Sequence, residues 1–294
     1  MTLGVECAFC SYKSLINRGR VIVAAISLIG SLSLCGCGKA AISSVSMVPM
    51  PDALDSPEGK GFTCTGLARD ESSGGGWLVG NVGQDLPTNK KGMRSSIVWL
   101  SDDFSSVLGE IYLYDAFPTM KDIQGICVDG ADQTLWFCSF GEGKVRHITR
   151  DAQSLGEIKI DQPTGIAYDS RTDTIWVLTY RQLIRFSKDG KRLKSFNVNV
   201  KGQDQLWLDE SNDVMYFTGG LNYSGSIFKG DNAVWSVNLK TGELEEAYVL
   251  ADSYSVEGLY MANGKLYVLN DGYYHSAKIP TNQVNVYDLN SKRE

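Results

Sequence analysis

The sequence predicts an all-β fold: a five-bladed β-propeller of four-stranded antiparallel blades. Three observations carry this reading. A strand-turn-strand motif recurs five times, the clearest copies forty residues apart. Each copy continues into further short apolar runs separated by turn residues. A strand-like segment stands ahead of the first copy, where a closed ring needs one more strand.

The clearest copies are Gly125-Ile-Cys-Val-Asp129 followed by Leu135-Trp-Phe-Cys138, and Gly165-Ile-Ala-Tyr-Asp169 followed by Ile175-Trp-Val-Leu178. Leu206-Trp-Leu-Asp209 with Val214-Met-Tyr-Phe217 makes another. Looser copies begin at Gly66 and Gly258. An aromatic residue then recurs in the second strand at Trp77, Trp136, Trp176, Tyr216 and Tyr267. A third run follows in each copy (Ile97 to Leu100, Val145 to Ile148, Leu183 to Phe186, Val234 to Val237, Val284 to Tyr287). Turns such as Lys188-Asp-Gly190 and Lys240-Thr-Gly242 lead to a fourth run, which the last copy lacks. The segment Ala41 to Val48 is expected to supply that missing strand and close the ring. A β-sandwich is the alternative fold, and the five-fold recurrence speaks against it.

Composition narrows the function classes. With 43% hydrophobic and 21% charged residues, the 294-residue chain is an ordinary globular one. A net charge of −6 without long basic runs leaves no nucleic-acid partner to expect. Two histidines, His147 and His275, cannot build a multi-histidine zinc centre alone.

The first residues read as an address. Lys13, Arg18 and Arg20 precede an uncharged run from Val21 to Leu34, too short to span a bilayer and of signal-peptide length. It ends in Leu34-Cys35-Gly36-Cys37, which resembles a bacterial lipobox. That resemblance makes Cys37 the lipidated residue, with Cys35 as the alternative. The expected organisation is a leader over 1–36, an anchor, linker and closing strand over 37–60, and the propeller over 61–294. The expected location is the bacterial cell envelope, at the outer membrane. The membrane partner is then reached through lipid, since an acidic surface does not favour anionic headgroups. Of the remaining cysteines, Cys127 and Cys138 lie on two arms of one hairpin. The pattern sets Cys127 opposite Leu135 and so places the two thiols on opposite faces, as buried, unpaired groups.

In a propeller, the loops leading into each innermost strand share one end of the channel with the loops joining second and third strands. Three of the latter are long (81–95, 219–232, 270–281), which marks that end as the working one. The residues preceding the repeat glycine position, Thr65, Gln124, Thr164, Gln205 and Glu257, form a polar ring there. Gln124, Thr164 and Gln205 are candidate ligand-binding residues. Glu257, Asp204, Asn270 and Asp271 converge as candidate oxygen ligands for a hard cation, Ca²⁺. Tyr223, Tyr273, Tyr274 and His275 on the long loops suit a surface for an envelope protein or a small ligand. No catalytic residue is singled out.

The G-[IL]-x-x-D motif with its following L-W-V strand resembles the group of NHL, senescence-marker/gluconolactonase and SdiA-regulated propellers. The last blade, Val256-Glu-Gly-Leu with Leu266-Tyr-Val-Leu-Asn-Asp271, is most similar to the SdiA-regulated propeller lipoproteins and their phytase-esterase-like relatives. The resemblance spans residues 60 to 290. Its gluconolactonase branch implies a channel metal held by a Glu, two Asn and an Asp. Glu257 can be that Glu, while Gln124, Thr164 and Gln205 depart from the other ligands. The expected role is a binding or scaffold module; the alternative is a Ca²⁺-dependent hydrolase of lactones or phosphoesters.

Overall fold

The computed structural model describes residues 39–51, 62–72, 75–85, 90–91, 95–120, 122–198, 200, 202–219, 233–253, 256–270 and 282–291. Blade 1 contains β2 (Cys64–Arg69), β3 (Trp77–Asn81), β6 (Ser96–Leu100) and β7 (Val107–Tyr112). A small hairpin, β4 (Gln84–Asp85) with β5 (Lys90–Lys91), lies between its second and third strands, and a helical turn, α1 (Leu113–Ala116), follows. Blade 2 contains β8 (Ile123–Val128), β9 (Leu135–Ser139), β10 (Lys144–Ile148) and β11 (Ser154–Lys159). Blade 3 contains β12 (Pro163–Asp169), β13 (Thr174–Thr179), β14 (Gln182–Ser187) and β15 (Arg192–Asn197). Blade 4 contains β16 (Gly202–Asp209), β17 (Val214–Gly219), β18 (Ala233–Asn238) and β19 (Leu244–Val249). Blade 5 contains β20 (Val256–Ala262), β21 (Lys265–Asn270) and β22 (Gln283–Asp288), completed by β1 (Ser46–Pro49). The innermost strands β2, β8, β12, β16 and β20 neighbour one another in that order, and β20 returns to β2, so the ring is closed.

Closure follows the sequence expectation and extends it. Strand β1 pairs antiparallel with β22, Ser46 opposite Val286 and Pro49 opposite Gln283. The chain ahead of it also grips blade 4. Ile42 bridges Leu250 in parallel, and Lys39 forms an ion pair with Glu245. Asp252 ties these parts together: its carboxylate accepts from Ser44 N and Oγ and from Tyr287 Oη. The N-terminal segment therefore fastens two blades.

The inner strands of each blade are buried on both faces and read as near-continuous apolar runs, whereas outer strands β7, β11 and β15 are largely exposed. Five apolar clusters fill the five gaps between blades. Because side chains alternate, Leu135 and Phe137 face blade 1 while Trp136 and Cys138 face blade 3. The repeat aspartates have a local role that the sequence pattern did not assign. Asp70, Asp129, Asp169 and Asp209 each end or follow an innermost strand and accept the N–H two residues on, which shapes the turn.

Two register details differ from expectation. Cys127 pairs with Trp136, not Leu135. A one-residue slip changes the face, so Cys127 and Cys138 share the gap to blade 3. Both are buried and in no disulfide, as is Cys64. Likewise Trp77 pairs with Arg69, and it is Leu78 that matches Trp136 of blade 2. Trp77 instead turns into the gap with blade 5, stacked on Phe104 at 4.8 Å and edge-on to Tyr260 at 5.3 Å.

Candidate functional site: the central channel

The innermost strand of every blade carries a register shift near its start: between Thr65 and Leu67, Ile123 and Ile126, Pro163 and Gly165, Gly202 and Leu206, Val256 and Gly258. The polar ring residues all lie at these bulges, which bend the strand and re-aim a side chain. The repeat glycines lie there for a steric reason. A Cβ on Gly66, whose φ is +62°, would come 2.8 Å from Gln124 O; one on Gly258 would come 2.9 Å from Leu67 Cβ. Five innermost strands converge tightly enough that backbone meets backbone.

The ring is buried rather than open to water, with Thr65, Thr164, Gln205 and Glu257 all below 5% exposed. Gln205 is spent internally. Its Nε2 donates to Ile126 O and Leu206 O, each at 2.9 Å, and its Oε1 accepts from Ile126 N at 3.1 Å. The side chain of blade 4 thus reaches across the ring to blade 2. Thr164 Oγ1 donates to Leu178 O and Gln124 Nε2 to Asp122 Oδ1. These commitments do not fit the metal ligand set that the gluconolactonase resemblance implies. The Thr65 and Thr218 hydroxyls are buried without a hydrogen bond, an arrangement suited to bridging water.

Of the candidate cation ligands, Glu257 lies beside Val256, the partner of Asn270, and Asp204 belongs to the neighbouring innermost strand β16. Asn270 Nδ2 donates to Val268 O. Only the backbone of Asp204 is described. Asp271, Tyr223, Tyr273, Tyr274 and His275 lie outside the described residues, as does Cys37. At the same end, Ser139 Oγ donates to Glu142 at 2.7 Å, and Arg146 grips the same carboxylate through Nε and Nη2. Burial would raise Glu142, but hydrogen bonds from Arg146, Thr119 and Ser139 prevail and hold it at about 2.

A cavity lined by all five innermost strands opens at the other end. It measures about 450 Å³, within the range of small-molecule sites. Gln205 forms part of its wall. Leu67, Val128, Tyr168, Trp207, Leu208 and Tyr260 supply its apolar and aromatic surface. Trp207 and Tyr260 stand edge to face at 6.3 Å. Arg69, Glu71 and Glu210 are its charged residues. Arg69 is paired with Asp102 at 2.7 Å, and Glu210 accepts from Ser170 N and Oγ. Sequence reasoning missed this cavity because its aromatics fall at positions also used for packing between blades. The available signal was Tyr168, Trp207 and Tyr260, two or three residues after the repeat glycine position, which the register gives in blade 4 to Gln205 itself and not to the residue after it.

Ion pairs between blades surround this end. Arg150 of blade 2 binds Asp70 of blade 1, Lys188 of blade 3 binds Asp129 of blade 2, and Arg171 of blade 3 binds Asp213 of blade 4, which also meets Lys240 of its own blade. Burial would raise Asp70, but hydrogen bonds from Arg150, Ser72 and Trp99 hold it at about 2. Asp129, Asp132 and His147 also stand close enough to share an ion, yet Lys188 already fills that place at 2.8 Å from Asp129. His147 stacks on Trp136 at 4.0 Å, and burial lowers its proton affinity. The one thiol in the cavity wall, Cys127, is pushed far above the ordinary cysteine range by burial and then by Asp129.

No family model matches the chain, and no curated protein does. Among solved structures, it is similar to hydrazine synthase of Kuenenia stuttgartiensis, at 15% identity and a TM-score of 0.45. That match covers 70% of this chain and 55% of the other, so this chain spans little more than half of that protein. A protein of unknown function from Bacteroides caccae matches at 16% identity over 66% of this chain and 68% of that one, with a TM-score of 0.45. A member of the DUF4221 family from Bacteroides vulgatus matches at 10% identity over 84% and 97%, with a TM-score of 0.48. None of these likenesses bears on function.

Proposed function

We propose that this chain is a lipid-anchored β-propeller of the bacterial cell envelope that acts as a binding or scaffold module, without catalysis. One observation carries the reading. The side chain of Gln205 crosses the channel, and beyond it the innermost strands form a concave cavity that mixes apolar, aromatic and polar side chains. Its thiol is suppressed, and its charged residues Arg69 and Glu210 are engaged with protein partners. Such a wall suits recognition better than proton transfer or nucleophilic attack. Anchoring rests on the leader and on Cys37, and the long loops at the other end offer a second surface for an envelope partner.

The alternative, a Ca²⁺-dependent hydrolase, draws on the backbone placement of Asp204, Glu257 and Asn270 at one end of adjacent strands. Melting of the chain from Lys39 onward, in Ca²⁺ and in chelator, separates the two. Those residues form one compact unit that holds all five core clusters. A ligand at about 100 times its Kd adds about 2.7 kcal/mol, enough to raise Tm by a degree or more. The binding reading expects no such rise. A rise that Glu257→Gln abolishes would establish the hydrolase reading in its place. For the anchor, Cys37→Ala is expected to abolish incorporation of labelled fatty acid and release the protein from the membrane fraction; label retained in the variant would refute it.

A further inference from the structure

The channel cavity also carries information about what it would take, an inference that rests on the binding reading above. Its aromatic wall is presented in part: Tyr168, Trp207 and Tyr260 pack between blades on one side, yet each is only half-buried and lines a concave space. Trp207 and Tyr260 meet edge to face at 6.3 Å, and both belong to the cavity lining. Val128 and Leu208, also half-buried, extend the apolar surface.

The charges complete the description. Glu71 is exposed and Glu210 half-buried at the rim, while Arg69, the cavity's one cation, is neutralised by Asp102 at 2.7 Å. Burial raises the Tyr260 hydroxyl; Glu71 raises it further and Arg69 opposes, so the fields of both reach the aromatic wall. An anion entering here would meet two carboxylates and no free cation of the lining. We propose that the cavity binds a small molecule with a flat apolar body and no anionic group, packed against Trp207 and Tyr260, face-on to one ring and edge-on to the other.

Two dyes share one skeleton and differ in charge: neutral N-phenyl-1-naphthylamine and anionic 1-anilinonaphthalene-8-sulfonate. Fluorescence titration of the chain from Lys39 onward with each tests the proposal. The neutral dye is expected to bind at one site, at least tenfold more tightly than the sulfonate. Trp207→Ala should weaken neutral-dye binding at least tenfold. Val128→Trp, which fills the cavity instead of emptying it, should do the same if Trp207→Ala fails to fold. Replacing both acids (Glu71→Gln with Glu210→Gln) should narrow the gap between dyes. Equal affinity for both dyes, with binding still lost in either cavity variant, would overturn the ligand class and leave the binding reading standing. Folded protein that binds neither dye, or whose dye binding ignores both cavity variants, would overturn the cavity as the binding site as well.

Discussion

Replacing Asp70 with Asn tests how the blades are fastened. The Asp70 side chain is 3% exposed. It accepts from Arg150 Nη2 at 3.0 Å, Ser72 N at 3.0 Å and Trp99 Nε1 at 2.8 Å. An amide keeps one oxygen for Ser72 but loses the charge that Arg150 crosses from blade 2 to meet. The carboxyl falls from 3.8 to about 2 on folding, because these hydrogen bonds outweigh the burial that opposes them. Such a drop corresponds to about 2 kcal/mol. Arg150 is 29% exposed, so solvent screening brings the net toward about 1 kcal/mol. A group with a lowered folded-state value contributes fully above its unfolded value and loses that contribution as pH falls through the folded one. The wild-type advantage over Asp70→Asn is therefore complete at pH 7, begins to shrink near pH 4, and has largely gone near pH 2. Urea unfolding of both proteins across that range, followed by tryptophan emission, measures it. An offset that stays constant down to pH 2, or none at pH 7, would refute the latch.

Three further outcomes follow from the same geometry. Gln205→Leu keeps the volume but strips Ile126 of its partner for both N–H and C=O, and should cost about 1–3 kcal/mol in urea unfolding; an unchanged midpoint would contradict the bridge. Removing residues 39–49 should expose the edge of β22 and give aggregation or loss of cooperative melting, seen by light scattering and calorimetry; an unaltered melt would show that the ring closes without β1. Cys64, Cys127 and Cys138 should react with a thiol reagent only at the rate of unfolding; rapid labelling of any of them in native buffer would contradict their burial.

Much of the architecture was legible because a propeller writes its period into the chain. The inner strands of each blade are buried on both faces, so the Gly125, Gly165 and Gly258 copies share one pattern, and the segment before Gly66 has its place as β1. What failed was counting by one. The turn between first and second strands fixes register, and its length is not marked in the sequence. Turn 129–134 pairs Cys127 with Trp136, and turn 70–76, one residue longer, puts Leu78 where blade 2 has Trp136. The site was less legible still. Gln205 reads as an open polar ligand but is satisfied by backbone two blades away, a contact with no local signature. The Asp70–Arg150 latch joins residues 80 apart for the same reason.

The central claim is that an occupant sits in the channel beside Trp207. A photoreactive benzophenone side chain placed at position 208, in the cavity wall, reports on this in intact cells; the exposed outer-strand position 193 serves as control. After irradiation and purification, mass measurement should show a small-molecule adduct at 208 and none at 193. Equal adducts at both positions, or none at 208 while position 273 in the long loop yields one, would contradict the account.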